Sequence, residues 1–135
     1  MTYEDRIERA VALFKSGYNC SQSVVAAFAD LYGFTDEQAF KMAASFGGGI
    51  GRMRQTCGAA CGLFLLAGLD TGATEGSDNE GKSYNYKVVQ ELAEKFRQEN
   101  GSLICSELLG LSKQEPTPHQ AEVRTPEYYK KRPCA

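Results

Sequence analysis

Apolar side chains recur along this chain at three- and four-residue intervals, the spacing of one face of an α-helix. In residues 3–16, Ile7, Ala10, Val11 and Phe14 fall at i, i+3, i+4 and i+7, with Thr2 placed to cap the start and Gly17 to end the segment. A second helix is expected from Asn19 to about Tyr32, where Val24, Ala27, Phe28 and Leu31 repeat the spacing and Gly33 follows; Cys20, four residues before Val24, shares its face. A third starts after Thr35 and turns Ala39, Met42, Ala43 and Phe46 inward until Gly47-Gly48-Gly49 stops it.

The periodicity then breaks from Gly47 to Thr56. From Cys57 to Leu69 nearly every residue is apolar or small, the pattern of a helix surrounded by others, so 59–69 is expected to be a buried central helix. A polar, glycine-containing loop over 70–83 leads to a long helix striped by Tyr86, Val89, Leu92, Ala93 and Phe96, with Glu91 and Lys95 four apart on its outer side. It ends near Asn100-Gly101. Ser102 is placed to cap a short sixth helix holding Cys105, Leu108 and Leu109 and closed by Gly110. From about residue 112 a tail carries Pro116, Pro118, Pro126 and Pro133, with one turn expected around Glu127 to Lys131. No stretch alternates with period two, and no repeat or linker interrupts the chain. The pattern predicts an all-α protein, a bundle of five to six helices around the 59–69 helix, forming one domain over residues 1–135.

Composition narrows the function classes. Hydrophobic residues make up 42% and charged residues 24%, ordinary for a globular protein and against disorder. The 15 basic and 17 acidic residues are mixed along the chain without a phosphate-binding stripe, which excludes nucleic acid as the expected partner. The longest nearly pure apolar run, Ala59 to Leu69, falls short of the roughly 20 residues needed to cross a bilayer, so no membrane span is expected. The polar start Met1-Thr2-Tyr3-Glu4-Asp5-Arg6 leads straight into the first helix and does not read as a signal peptide; a cytoplasmic location is the expectation. Structural disulfides are rare in such a reducing compartment, so Cys20, Cys57, Cys61, Cys105 and Cys134 point to redox, cluster or metal chemistry.

Cys20 follows the cap Asn19, Cys57 follows Thr56, and Cys105 lies three after Ser102, so three thiols fall in the first turns of helices. Unpaired N–H groups and the positive dipole end there favour a thiolate. Arg52 and Arg54, just before Cys57, add to that field, which makes Cys57 the expected reactive thiol. Cys57 and Cys61, four apart, face the same way on a helix; this suits two ligands of one centre or a partner thiol, while a mutual disulfide is geometrically awkward. No pair has the C-x-x-C spacing of zinc ribbons or thioredoxin-like sites. If the thiols form one centre, Cys20, Cys57 and Cys105 are expected to meet at one end of the bundle.

The motif Cys57-Gly58-Ala59-Ala60-Cys61-Gly62, with Cys20 upstream in Tyr18-Asn19-Cys20-Ser21-Gln22-Ser23, Cys105 and Cys134 downstream, and Phe46-Gly47-Gly48-Gly49 before it, resembles the family of redox-active proteins named for a C…GCAxxG…C…C pattern. The resemblance covers nearly the whole chain. It implies a redox role without a defined substrate, and a similar segment in split-Soret cytochromes brings in an iron-sulfur centre as a cofactor. Two departures stand out: Cys61 occupies a variable position of the motif and is an extra thiol, and the chain ends one residue after Cys134, which suggests a mobile cysteine.

Gly47, Gly48 and Gly49 with Arg52 and Arg54 have the makings of an anion- or cofactor-binding loop, since glycines let N–H groups converge; the other reading is a turn that positions Cys57. No Walker-type pattern is present. His119, the only histidine, is expected at the surface and excludes bis-histidine haem ligation within one chain. Tyr84, Tyr86, Tyr128 and Tyr129 are expected as core edges or interface contacts.

Three functions stay open at this level. The first is thiol-disulfide chemistry at Cys57, with Cys20, Cys61 or Cys105 as partner, Cys134 as a mobile resolving thiol, and a redox protein or small thiol as the outside partner. The second is a metal or iron-sulfur site on Cys20, Cys57, Cys105 and either Cys61 or Cys134. The third is a non-catalytic helical interaction protein, the apolar helix forming core or a homodimer interface.

Overall fold

Thr2, Asn19 and Thr35 each begin a helix by the same device. The side chain accepts the backbone N–H three residues on, while the residue there, Asp5, Gln22 or Gln38, accepts the cap's own N–H in return. The computed structural model describes residues 1–111, 119–130 and 132–135, and the protein is all-α. Helices α1 (Tyr3–Lys15), α2 (Cys20–Phe28) and α3 (Asp36–Ala43) follow these caps; α2 and α3 continue as single tight turns, Ala29–Tyr32 and Ala44–Phe46. Helix α4 (Gly58–Thr71), the long α5 (Asn79–Asn100), the short α6 (Cys105–Leu109) and α7 (Pro126–Lys130) complete the order. Pro116 and Pro118 of the expected tail, and Lys131 at the end of its expected turn, lie outside the described residues.

Helix α2 packs against α1, α3 and α4, and α4 lies between α2 and α5. Val25, Ala26, Ala29, Ala39, Ala43 and Leu66 form the buried core, with Leu13, Val24, Phe28, Phe34, Phe40 and Leu65 around it. The small residues at the start of α4 account for its close approach to α2. A β-carbon on Gly62 would stand 3.0 Å from that of Val24 and 3.1 Å from the Ser21 carbonyl, and one on Gly58 would stand 3.2 Å from that of Cys20. The expected central helix is α4: buried through Gly58, Ala60, Cys61, Gly62, Leu66 and Ala67, it reaches solvent at Gly68 and Leu69.

Some residues on the expected apolar stripes face outward. Ile7 and Leu31 are each 58% exposed, and Met42 and Tyr86 are also at the surface. Around α1 the cause is electrostatic. Arg6 turns inward instead, its Nη1 donating to the Ala27 carbonyl at 2.9 Å and to Asp30 at 2.6 Å, and its Nη2 donating to the second Asp30 oxygen at 3.2 Å. A bidentate charged pair of this kind fixes the rotation of α1 on α2 and leaves Ile7 on the outside. Asn85 ties α5 to α4 by donating to the Thr71 hydroxyl at 2.9 Å, but no residue of α5 is fully buried, so its stripe is half covered.

Candidate thiol site

The segment Tyr18–Ser23 places Cys20. Asn19 caps α2, its Nδ2 donates to the Ala44 carbonyl at 3.0 Å, and Gln22 Nε2 donates to the Phe40 carbonyl at 3.0 Å. The start of α2 is thereby pinned to the end of α3, with Cys20 as its first residue. Gly47 fits beside this cap because a β-carbon there would meet the Asn19 side chain at 2.3 Å.

The loop after α3 returns the chain to the same place. Gly48, Gly49, Ile50, Gly51, Arg52 and Arg54 all have left-handed backbones, with φ of 66°, 75°, 67°, 56°, 59° and 61°. The N–H groups of Ile50 through Gln55 donate to carbonyls of residues 45–50, so these amides are used inside the loop. A left-handed Ile is rare for a β-branched residue, and the closed set of hydrogen bonds holds it.

One short antiparallel bridge, Thr56 to Ile104, then joins this loop to the segment before α6. Cys57 N–H donates to the Leu103 carbonyl at 2.7 Å, and Cys105 N–H to the Gln55 carbonyl at 2.6 Å. Cys57 itself occupies the cap position of α4, without a side-chain capping hydrogen bond, and Cys105 opens α6, whose cap position is Ile104 rather than Ser102. Ser102 Oγ instead accepts the Ile104 N–H at 2.9 Å.

The tail supplies the fourth thiol. Tyr129 hydroxyl lies 3.1 Å from the Phe14 carbonyl and 2.9 Å from that of Lys15, anchoring α7 to the end of α1. Arg124 stacks over Phe14 and Tyr128 at 5.0 and 4.5 Å, and Arg132 covers Tyr128 at 4.3 Å. Glu122 sits between Arg132 at 2.6 Å, Arg52 at 3.0 Å and Arg54 at 3.8 Å. These contacts bring Cys134, together with Cys20, Cys57 and Cys105, to the wall of one cavity of about 240 Å³, completed by Ala59, Phe96, Asn100, Leu108 and Leu109.

Cys20, Cys57 and Cys105, expected to meet at one end of the bundle, line this one cavity, and Cys134 lies on its wall with them. Cys61 stands apart: its thiol points at the Thr56 carbonyl, 3.8 Å away, and it does not line the cavity. Gly49 also borders the cavity; Gly47 and Gly48 do not. Arg52 turns to Glu122 and the Gln120 carbonyl, and Arg54 lies 3.7 Å from the Cys105 sulfur instead of beside Cys57. His119 is exposed.

Ionisation departs from the helix-terminus expectation. Burial pushes the Cys57 thiol above the ordinary thiol range, and the amides of Ala60 and Ala59 only partly offset it. Burial likewise raises Cys105, against the opposing pull of Arg54, and Cys61. Cys134 alone is lowered, to about 7, chiefly because the Cys20 thiol donates to it, with Arg132, Arg124 and Arg54 adding favourable charge. Cys20 is raised well above its ordinary range by keeping that shared proton and by burial. Removal from water outweighs a helix dipole for a buried sulfur, whereas a donor and three guanidiniums overcome it. The tail groups Arg124, Arg132, Glu122, Tyr128 and Tyr129 are not legible as site residues; their only sequence signal is the aromatic pair Tyr128-Tyr129 followed by the basic run Lys130-Lys131-Arg132, with Arg124 before it.

An all-α fold that gathers cysteines from both halves of the chain into one cavity is the class these observations define. The C_GCAxxG_C_C pattern, described as "Putative redox-active protein", matches residues 18–135, and the chain belongs to that family. No curated protein and no solved structure is detectably similar to it. No helix among the described residues is long and apolar enough to cross a membrane.

Proposed function

We propose that this protein is a thiol-disulfide redox protein in which Cys134 and Cys20 form the reacting couple. The observation that carries this reading is the gathering of Cys134, Cys20, Cys57 and Cys105 on the wall of one cavity, with Cys134 the thiol whose ionisation is lowered by its Cys20 neighbour and nearby guanidiniums. Cys134 thiolate attacks one sulfur of an outside disulfide and forms a mixed disulfide, expelling the other half as a thiolate that takes a proton from water. Cys20 then loses its proton to the second leaving sulfur and attacks Cys134 Sγ. The products are two outside thiols and a Cys20–Cys134 disulfide, a two-electron exchange that runs in reverse with a reducing thiol. Cys57, expected as the nucleophile, is less suited to that first step, being buried and raised. A reducing compartment such as the cytoplasm, with a redox protein or small thiol as partner, suits this chemistry.

The test is to oxidise the reduced protein with a small disulfide and map the linked peptides by mass spectrometry. A Cys20–Cys134 link, lost in Cys134→Ser, is expected. An unchanged free-thiol count after oxidation overturns the reading.

The second reading, a metal or iron-sulfur centre, is favoured by four thiols lining one cavity. Against it, no three His, Cys, Asp or Glu side chains among the described residues are grouped so as to hold one metal ion. Visible absorption and iron analysis of anaerobically purified protein separate the two.

A further inference from the structure

We propose that Cys57 and Cys105 form a second dithiol couple behind the first, so that the protein passes a disulfide inward and regains its outer thiols for another round. The proposal rests on the reading of Cys20 and Cys134 as the reacting couple.

Three observations carry it. Cys57 and Cys105 flank the Thr56–Ile104 bridge diagonally, and in an antiparallel pairing such positions send their side chains to the same face. Both line the cavity that holds Cys20 and Cys134. As whole residues they are also the less exposed pair, at 9% and 7%, beside the half-buried Cys20 and Cys134.

The transfer needs no further reactant. Once Cys20–Cys134 has formed, Cys105 attacks Cys134 Sγ, with the Arg54 guanidinium 3.7 Å away to hold the charge as its proton leaves for Cys20, the sulfur displaced. Cys57 next attacks Cys105 Sγ and gives its proton to Cys134, which is released as a thiol. One S–S bond breaks and one forms at each step. The first couple ends reduced, the second oxidised, and no electron leaves the protein.

Glycine at position 49 fits this role. A β-carbon there would stand 2.6 Å from that of Cys105, so the loop can press against this cysteine only without a side chain, and Cys105 is held at the cavity wall.

The experiment uses fully reduced protein, freed of reductant, and an excess of bis(2-hydroxyethyl) disulfide, with released 2-mercaptoethanol counted and peptides mapped. After the thiols released into mixed disulfides, counted from their mass, are subtracted, about four thiols per chain are expected from the native protein, and about two from Cys57→Ser and from Cys105→Ser. The native protein should also yield a Cys57–Cys105 linked peptide, a readout that does not depend on either variant folding. Release of about two thiols with only the Cys20–Cys134 link overturns this inference and leaves the first couple standing. Release of none overturns both.

Discussion

Gly49 lies under Cys105 so closely that a β-carbon on the glycine would meet that of the cysteine at 2.6 Å and the Arg54 α-carbon at 2.7 Å. The same residue has a φ of 75°, which a side chain disfavours independently of space. Gly49→Ala is therefore expected to cost about 2–4 kcal/mol, the sum of a left-handed non-glycine residue and an overpacked contact. Urea unfolding checks it: a midpoint shifted by less than a tenth of a molar would contradict the crowding.

Gly62 and Gly68 stand in the same helix and should respond oppositely. A β-carbon on Gly68 meets nothing within 4 Å, so Gly68→Ala is expected to stabilise by about 0.5–1 kcal/mol through helix propensity alone. Gly62 faces Val24 and the Ser21 carbonyl, and Gly62→Leu is expected to destabilise by about 1–3 kcal/mol by forcing α2 and α4 apart. Thermal melts of both variants decide this, and a stabilised Gly62→Leu would refute the tight crossing.

Cys134 is expected to be the first thiol alkylated as pH rises. Its ionisation point is lowered to about 7, so its thiolate is present above that pH and lost as pH falls below it. Cys20, Cys57, Cys61 and Cys105 are all raised and stay protonated there. Iodoacetamide labelling followed by mass spectrometry should show a Cys134 rate with a midpoint near 7. In Cys20→Ala, which removes the principal donor, the midpoint should move upward. A Cys134 that labels no sooner than Cys61 would contradict the assignment.

Much of this architecture is legible in the sequence, and the exceptions have physical causes. Thr2, Asn19 and Thr35 announce their helices because capping is a local interaction within four residues. Gly33, Gly101 and Gly110 mark helix ends for the same reason, each adopting a left-handed backbone. Ile7 lies on the apolar stripe yet faces solvent, because the rotation of α1 depends on Arg6 meeting Asp30, a partner 24 residues away. The cysteine positions and their convergence could be read from helix starts and periodicity. Their ionisation could not, because burial of Cys57 and the guanidiniums around Cys134 arise only when the tail packs against α1 and the loop carrying Arg54.

Tyr129→Phe removes the hydroxyl that joins α7 to the carbonyls of Phe14 and Lys15. The expected loss is about 0.5–1.5 kcal/mol, the usual net worth of a hydrogen bond. It should fall on the tail more than on the bundle, so hydrogen exchange should accelerate in residues 119–130 while α2 stays protected. Uniform acceleration across the chain would show the tail and bundle opening as one unit.

Arg132 stacks on Tyr128, pairs with Glu122 at 2.6 Å and adds favourable charge at Cys134. Arg132→Ala is expected to raise the alkylation midpoint of Cys134 and slow its labelling at pH 7 severalfold. Arg132→Lys should restore part of this, since the charge returns without the planar stacking surface. Equal labelling of native protein and Arg132→Ala would remove Arg132 from the account.

The anchoring of Tyr129 to Phe14 spans 115 residues of chain. A loop of that length is closed only after the intervening helices have shortened it, since ordering so many residues for one docking contact is otherwise entropically unfavourable. During synthesis Cys20, Cys57 and Cys105 emerge and begin to pack before Cys134 exists. Completion of the thiol cavity is thus expected to follow the packing of the bundle, and the newborn chain passes through a window in which Cys20, Cys57, Cys61 and Cys105 are present without Cys134.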